Sequence, residues 1–139
     1  MFDLDGTLVD TTAAYVRAWH TLLAPRGAFV DADFFNTHIS GLADEQVREN
    51  FNIAISSEQK DEEYLKHLAC VGVIAGALDF VRKCQDIGPV YVVTNSNKRA
   101  AEALLDRIGL GNIPLLTASD VEHGKPNPEP YAKAMLTLG

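Results

Sequence analysis

The sequence has little of what would tie it to a membrane, a secreted scaffold or a nucleic acid. Its longest run of apolar and glycine residues is Leu68–Leu78, 11 residues, well short of the roughly 18 that cross a bilayer. The opening residues Met1-Phe2-Asp3 bring no basic region and no long apolar stretch, so they do not read as a secretory signal. Two cysteines, Cys70 and Cys84, make neither a disulfide framework nor a CxxC pair. They are expected to be buried, reduced thiols of a cytoplasmic protein. Positive charge is scarce: 12 Lys and Arg stand against 19 Asp and Glu, a net charge of −7. Such a chain repels phosphate backbones, which argues against a nucleic-acid partner. Any anionic substrate must then be held by a few local cations.

What is present suits a folded object. The 139 residues are 47% hydrophobic and 22% charged, with 10 glycines and 6 prolines. These values are ordinary for one globular domain and argue against disorder. The chain is too short for an eight-stranded α/β barrel of roughly 250 residues.

Helical spacing covers Thr12–Leu23, then Asp33–Thr37, Ala43–Phe51 and Glu58–Ala69, the last preceded by a Ser56-x-x-Gln59 capping box. In that helix Lys60, Asp61, Glu62 and Glu63 read as solvated. The second half alternates. Ala75–Ile87 reads as a helix, Val90–Val93 as a strand buried on both faces, and Lys98–Ile108 as a helix. Pro114–Thr117 reads as a strand, followed by a last helix capped by Asn127 with Pro128 at its first position. This order predicts a parallel, right-handed α/β sheet. From Val9 to Pro89 there are 81 residues, where a parallel crossover needs about a dozen. The excess reads as a helical subdomain inserted after the first strand, over the sheet end where ligands bind.

Three clusters carry chemistry. Asp3-Leu4-Asp5-Gly6-Thr7-Leu8 places two carboxylates at the end of a strand. Close carboxylates repel unless a cation or a shared proton intervenes, and Mg²⁺ is the natural oxygen-preferring partner. An Asp-Gly turn fits the same letters. A calcium loop does not, because Leu8 stands where its glycine would be. Thr94-Asn95-Ser96-Asn97 follows the buried strand, with a hydroxyl and amide groups able to face an anion. Plain helix capping by Ser96 or Asn97 fits too. In His123-Gly124-Lys125-Pro126-Asn127-Pro128-Glu129-Pro130-Tyr131, prolines stiffen a segment that presents one lysine. An ordinary loop lysine is the alternative. The four histidines are dispersed and show no zinc spacing.

Taken in order, DLDGTL, an apolar strand ending in Thr-Asn, and GKPNPEPY resemble the haloacid dehalogenase-like (HAD) hydrolase superfamily. Within it they resemble the capped phosphatases of the phosphoglycolate phosphatase and beta-phosphoglucomutase-like subgroup. The resemblance implies a Rossmann-like parallel core, residues 1–10 and 75–139, with a helical cap, residues 11–74. It implies that Asp3 is the nucleophile and that Asp5 is the general acid and base. Asp3 and Asp5 would hold Mg²⁺, the latter through its backbone carbonyl. Thr94 and Asn95 would bind the phosphoryl group, and Lys125 would offset its charge. Ser40, Gly41 and Leu42 would lie on a cap specificity loop.

The expected reaction is hydrolysis of a small phosphorylated metabolite through an aspartyl-phosphate. A sugar-phosphate mutase, or a catalytically silent remnant binding phosphate or protein, are the alternatives; the oligomeric state stays open. The resemblance also implies a fourth motif, an acidic pair at the end of a later strand. Only 14 residues follow Lys125 and they read as one helix, while just two residues precede Asp3. The sequence therefore reads as truncated at both ends, and the chain as given is expected to turn over poorly.

Overall fold

The computed structural model describes residues 1–40, 42 and 44–138. The chain runs β1 (Val9–Asp10), α1 (Thr12–Leu23), α2 (Ala32–His38), α3 (Asp44–Phe51), α4 (Ser57–Leu65), β2 (Gly72–Val73), α5 (Ala77–Ile87), β3 (Val92–Val93), α6 (Lys98–Arg107), β4 (Leu115–Leu116) and α7 (Glu129–Leu138). It forms two compact units: Met1–Asp10 with Gly72–Gly139, and Thr11–Val71. Among the described residues no helix is long and apolar enough to cross a membrane.

In the first unit three parallel segments lie side by side. Phe2 bridges to Val92, and β3 pairs with β4 in the register Val92↔Leu115. The ladder continues past these short strands. Phe2 N–H donates to the Tyr91 carbonyl at 2.8 Å, and Thr94 N–H to the Leu116 carbonyl at 3.0 Å. The β-branched pair Val92-Val93 is fully buried, as a central strand covered on both faces requires. Tyr91, Val93 and Leu116 form one core cluster with Ala134 of α7. Helices α5 and α6 bury Val81 and, respectively, Ala100, Ala101, Leu104 and Leu105.

Helix α6 starts where Asn97 Oδ1 accepts the Arg99 and Ala100 amides, at 2.9 and 3.4 Å. Asn97→Ala should cost about 1 kcal/mol of stability, read as a lower urea midpoint. An unchanged midpoint would show that the cap is replaced by water.

The second unit is helical. Trp19, Leu23, Val30, Phe35, Ile39 and Val47 make its core. Tyr15 stacks on Tyr64 of α4 with centroids 4.4 Å apart. The Ser56–Gln59 capping box is formed in both directions.

Several details differ from expectation. A short antiparallel pair joins β1 to β2, Val9↔Val73 and Asp10↔Gly72, where the chain leaves the first unit and returns to it. Two residues a side offer no alternation to read. Helix α4 ends at Leu65, and a separate 3-10 turn, Leu68–Cys70, follows. Lys60 and Asp61 are not simply solvated: they form an ion pair at 3.1 Å with side chains 15% and 16% exposed. Cys70 and Cys84 are free but only half-buried. The last helix begins at Glu129, with the Asn127 side chain accepting its amide at 2.9 Å.

Candidate active site

Asp3 follows Phe2, and Thr94 follows Val93, so both leave the carboxyl ends of neighbouring parallel segments. That is the end at which open parallel sheets take ligands. After Asp3 the chain turns tightly: the Leu4 carbonyl accepts the Leu8 and Val9 amides at 2.9 and 3.1 Å. Gly6 stands at φ +74° inside this turn, a left-handed conformation that a side chain would disfavour by roughly 1–2 kcal/mol.

The two carboxylates have different partners. Asp3 Oδ1 is 2.6 Å from Lys125 Nζ and accepts the Leu4 amide at 2.8 Å. Asp5 Oδ2 accepts the Ser96 hydroxyl at 2.5 Å and, at the limit of bonding, the Thr94 hydroxyl at 3.5 Å. Asp5 Oδ1 is buried with no hydrogen-bond partner among the described residues. A buried carboxylate oxygen left unpaired is costly, and in native proteins such an atom is met by a proton, an ordered water, an ion or a ligand. Thr94 is itself buried and accepts the Ser96 amide at 3.1 Å.

Lys125 comes from a segment remote in sequence. Its Nζ also donates to the Val93 carbonyl at 3.1 Å, and its side chain is 16% exposed. The ammonium thus stands between the end of β3 and Asp3. Asn95 follows Thr94, and its carboxamide bonds the main chain of Lys125.

The donor set suits a hard cation. Mg²⁺ takes one or two carboxylates and fills its remaining positions with water and substrate phosphate. Asp3 offers a carboxylate at one strand end and Asp5 a carboxylate and a backbone carbonyl, all of them oxygen donors. Among the described residues no cluster of three or more His, Cys, Asp and Glu comes together.

Two participants escaped sequence reasoning. Ser96 reads as a helix cap, yet its hydroxyl holds Asp5; its place two residues after Thr94 was the available signal. Glu129 reads as a helix-start carboxylate. It accepts the Glu122 and His123 amides, both at 2.9 Å, and so clasps the segment that carries Lys125. Of the expected specificity loop, Ser40 and Leu42 belong to the second unit and are exposed. Gly41 lies outside the described residues.

The two amides, Glu122 first, hold the Glu129 carboxyl below the usual glutamate value. A lowered value in the folded state contributes stability above the unfolded value of about 4.3 and loses it as pH falls through the lowered one. Glu129→Gln should therefore unfold at a lower temperature than the parent at pH 7. The difference should shrink as the pH drops below about 4. A difference independent of pH would show that the carboxylate charge is not what the clasp uses.

The family description haloacid dehalogenase-like hydrolase matches residues 1–139. Among curated relatives, 2-deoxyglucose-6-phosphate phosphatase 1 of Saccharomyces cerevisiae is 31% identical over 155 residues, covering 96% of this chain and 61% of the relative. N-acetylmuramic acid 6-phosphate phosphatase of Pseudomonas aeruginosa is 28% identical over 151 residues, covering 100% of this chain and 67% of the relative. Among solved structures, a HAD family hydrolase from Deinococcus radiodurans R1 with bound phosphate and sodium superposes with a TM-score of 0.73 at 25% identity. That match covers 99% of this chain and 66% of the other. The chain thus spans 61–67% of the length of these relatives.

Proposed function

The chain belongs to the haloacid dehalogenase-like hydrolase family, and from that premise we propose that it forms the reacting core of a Mg²⁺-dependent phosphomonoester hydrolase. The substrate class is a small phosphorylated sugar, the chemistry named for the relatives from yeast and Pseudomonas. The observation that carries this reading is the 2.6 Å pair between Lys125 Nζ and Asp3 Oδ1 at the carboxyl end of a parallel sheet. Beside it stands a second carboxylate with one oxygen held by Ser96 and the other without a partner among the described residues.

Phosphoryl transfer asks for in-line positioning and for charge to offset the equatorial oxygens. Asp3 attacks phosphorus through a carboxylate oxygen, the ester P–O bond breaks, and an aspartyl-phosphate forms. Asp5 gives its proton to the departing alkoxide. Ser96 and Thr94 hold its Oδ2. Water then attacks phosphorus while Asp5 takes its proton back, the Asp3–phosphorus bond breaks, and inorganic phosphate leaves. The Thr94 hydroxyl and the Asn95 main-chain N–H bind the moving phosphoryl oxygens, and Lys125 sets positive charge beside them. The Asp3 carboxylate and the Asp5 backbone carbonyl would hold Mg²⁺, which supplies further positive charge to the phosphate.

The helical unit Thr11–Val71 acts in this reading as the cap that excludes water and selects the leaving group. Ser40 and Leu42 are its candidate specificity residues.

The test is phosphate release from p-nitrophenyl phosphate and from a panel of hexose 6-phosphates, with Mg²⁺ and with chelator. Both the 139-residue chain and the full reading frame that carries it are assayed. Mg²⁺-dependent release by the full frame supports the reading. A folded full-frame protein that releases no phosphate from any ester sinks it. A stoichiometric sugar bisphosphate in place of free phosphate would move the assignment to a mutase.

A further inference from the structure

The Asn95 side chain makes two hydrogen bonds to one residue 30 positions away. Its Nδ2 donates to the Lys125 carbonyl at 2.8 Å, and its Oδ1 accepts the Lys125 amide at 2.8 Å. A carboxamide donates through its nitrogen and accepts through its oxygen, and the two main-chain partners fix which atom is which. The neighbouring residue records how close the approach is. A Cβ placed on Gly124 would lie 2.8 Å from Asn95 Oδ1 and 3.5 Å from its Cγ. Gly124 is therefore required by the carboxamide rather than by a left-handed backbone. With Glu129 bound to the Glu122 and His123 amides, the segment is fastened just ahead of Lys125 and at Lys125 itself.

We propose that the Asn95 carboxamide is a positioning residue that fixes the main chain of Lys125 and thereby sets its ammonium against Asp3. A lysine has a long stem with about 2 kcal/mol of rotamer freedom, so an ammonium within 2.6 Å of Asp3 depends on where the stem starts. Asn95 sets that origin from the end of β3, the same strand whose Val93 carbonyl receives the ammonium. Strand end and lysine segment then move as one body. The importance of Lys125 to the reaction rests on the phosphatase reading; the fastening itself does not.

The experiment measures acylation of lysines by an amine-reactive ester, mapped by peptide mass spectrometry in the 139-residue chain. The exposed Lys83 serves as reference, and thermal unfolding is followed in parallel. Asn95→Ala, Asn95→Asp and Gly124→Ala should each raise the Lys125 rate by roughly tenfold, the scale on which two ordinary hydrogen bonds bias a local equilibrium. Lys83 should not change. Gly124→Ala placed in the Asn95→Ala background should add nothing, because its Cβ then has no carboxamide to meet. Unchanged Lys125 reactivity in folded Asn95→Ala would overturn the proposal, as would fully additive effects in the double variant. No turnover is needed for this assay, so a failed phosphatase reading and a failed fastening give different results.

Discussion

Asp3→Asn is expected to abolish turnover while leaving the protein folded. The substitution keeps the shape of the side chain but exchanges a carboxylate for a neutral amide, which cannot attack phosphorus to form an acyl phosphate. Loss of a covalent nucleophile is worth on the order of 10⁶ in kcat. The structural cost is small by comparison. The side chain of Asp3 is 41% exposed and Lys125 keeps its bond to the Val93 carbonyl, so the loss should change stability by about 1 kcal/mol or less. A near-complete loss of phosphate release with a thermal midpoint within a few degrees of the parent is the expected outcome. The measurement is steady-state phosphate release by the full reading frame, with the covalent intermediate sought by mass spectrometry after a rapid acid quench. Retained Mg²⁺-dependent turnover in Asp3→Asn would falsify the nucleophile assignment. Loss of activity with loss of fold would move Asp3 from chemistry to structure.

The parts of this structure that could be read from the sequence are those with a local physical cause. Helix α1 runs Thr12–Leu23 as its apolar spacing predicts. The Ser56–Gln59 box closes because both halves lie within one turn. The Val92-Val93 pair is buried because a β-branched run between two helices has nowhere else to go. Contacts across the sequence were not legible. Ser96 and Asn97 were equal candidates for one helix cap. In the structure Asn97 takes the cap, and this frees the Ser96 hydroxyl for Asp5, 91 residues away. The same holds for the Asn95 carboxamide and for the Glu129 clasp, whose partners are main-chain groups that any sequence possesses. Lys125 stood out for its stiff surroundings and for the motif it resembles. What the sequence could not say is that its ammonium reaches both the Val93 carbonyl and Asp3.

Lys125→Met should lower kcat by about 10² to 10³, the range seen when one preorganised charge or donor is removed from a transition state. Methionine keeps an unbranched apolar stem of similar length, so the change isolates the ammonium. In a chain of net charge −7, an anionic substrate gains nothing from the general field of the protein, and a local cation has to act against it. In the loose transition state charge builds on the leaving oxygen while the phosphoryl group flattens toward its nucleophile beside Lys125, so the effect should fall on kcat more than on KM. Lys125→Arg separates charge from geometry. It keeps the positive charge but spreads it over a rigid planar fork. The point contacts at 2.6 Å to Asp3 and 3.1 Å to Val93 were made by a compact ammonium, so arginine should restore only part of the rate. Steady-state kinetics of the three proteins at two salt concentrations provides the check. The lysine is largely shielded, and its contribution should survive added salt that would screen an exposed charge. Unchanged kcat/KM in Lys125→Met would remove Lys125 from the mechanism. A deficit that vanished in high salt would reduce it to long-range attraction of the substrate.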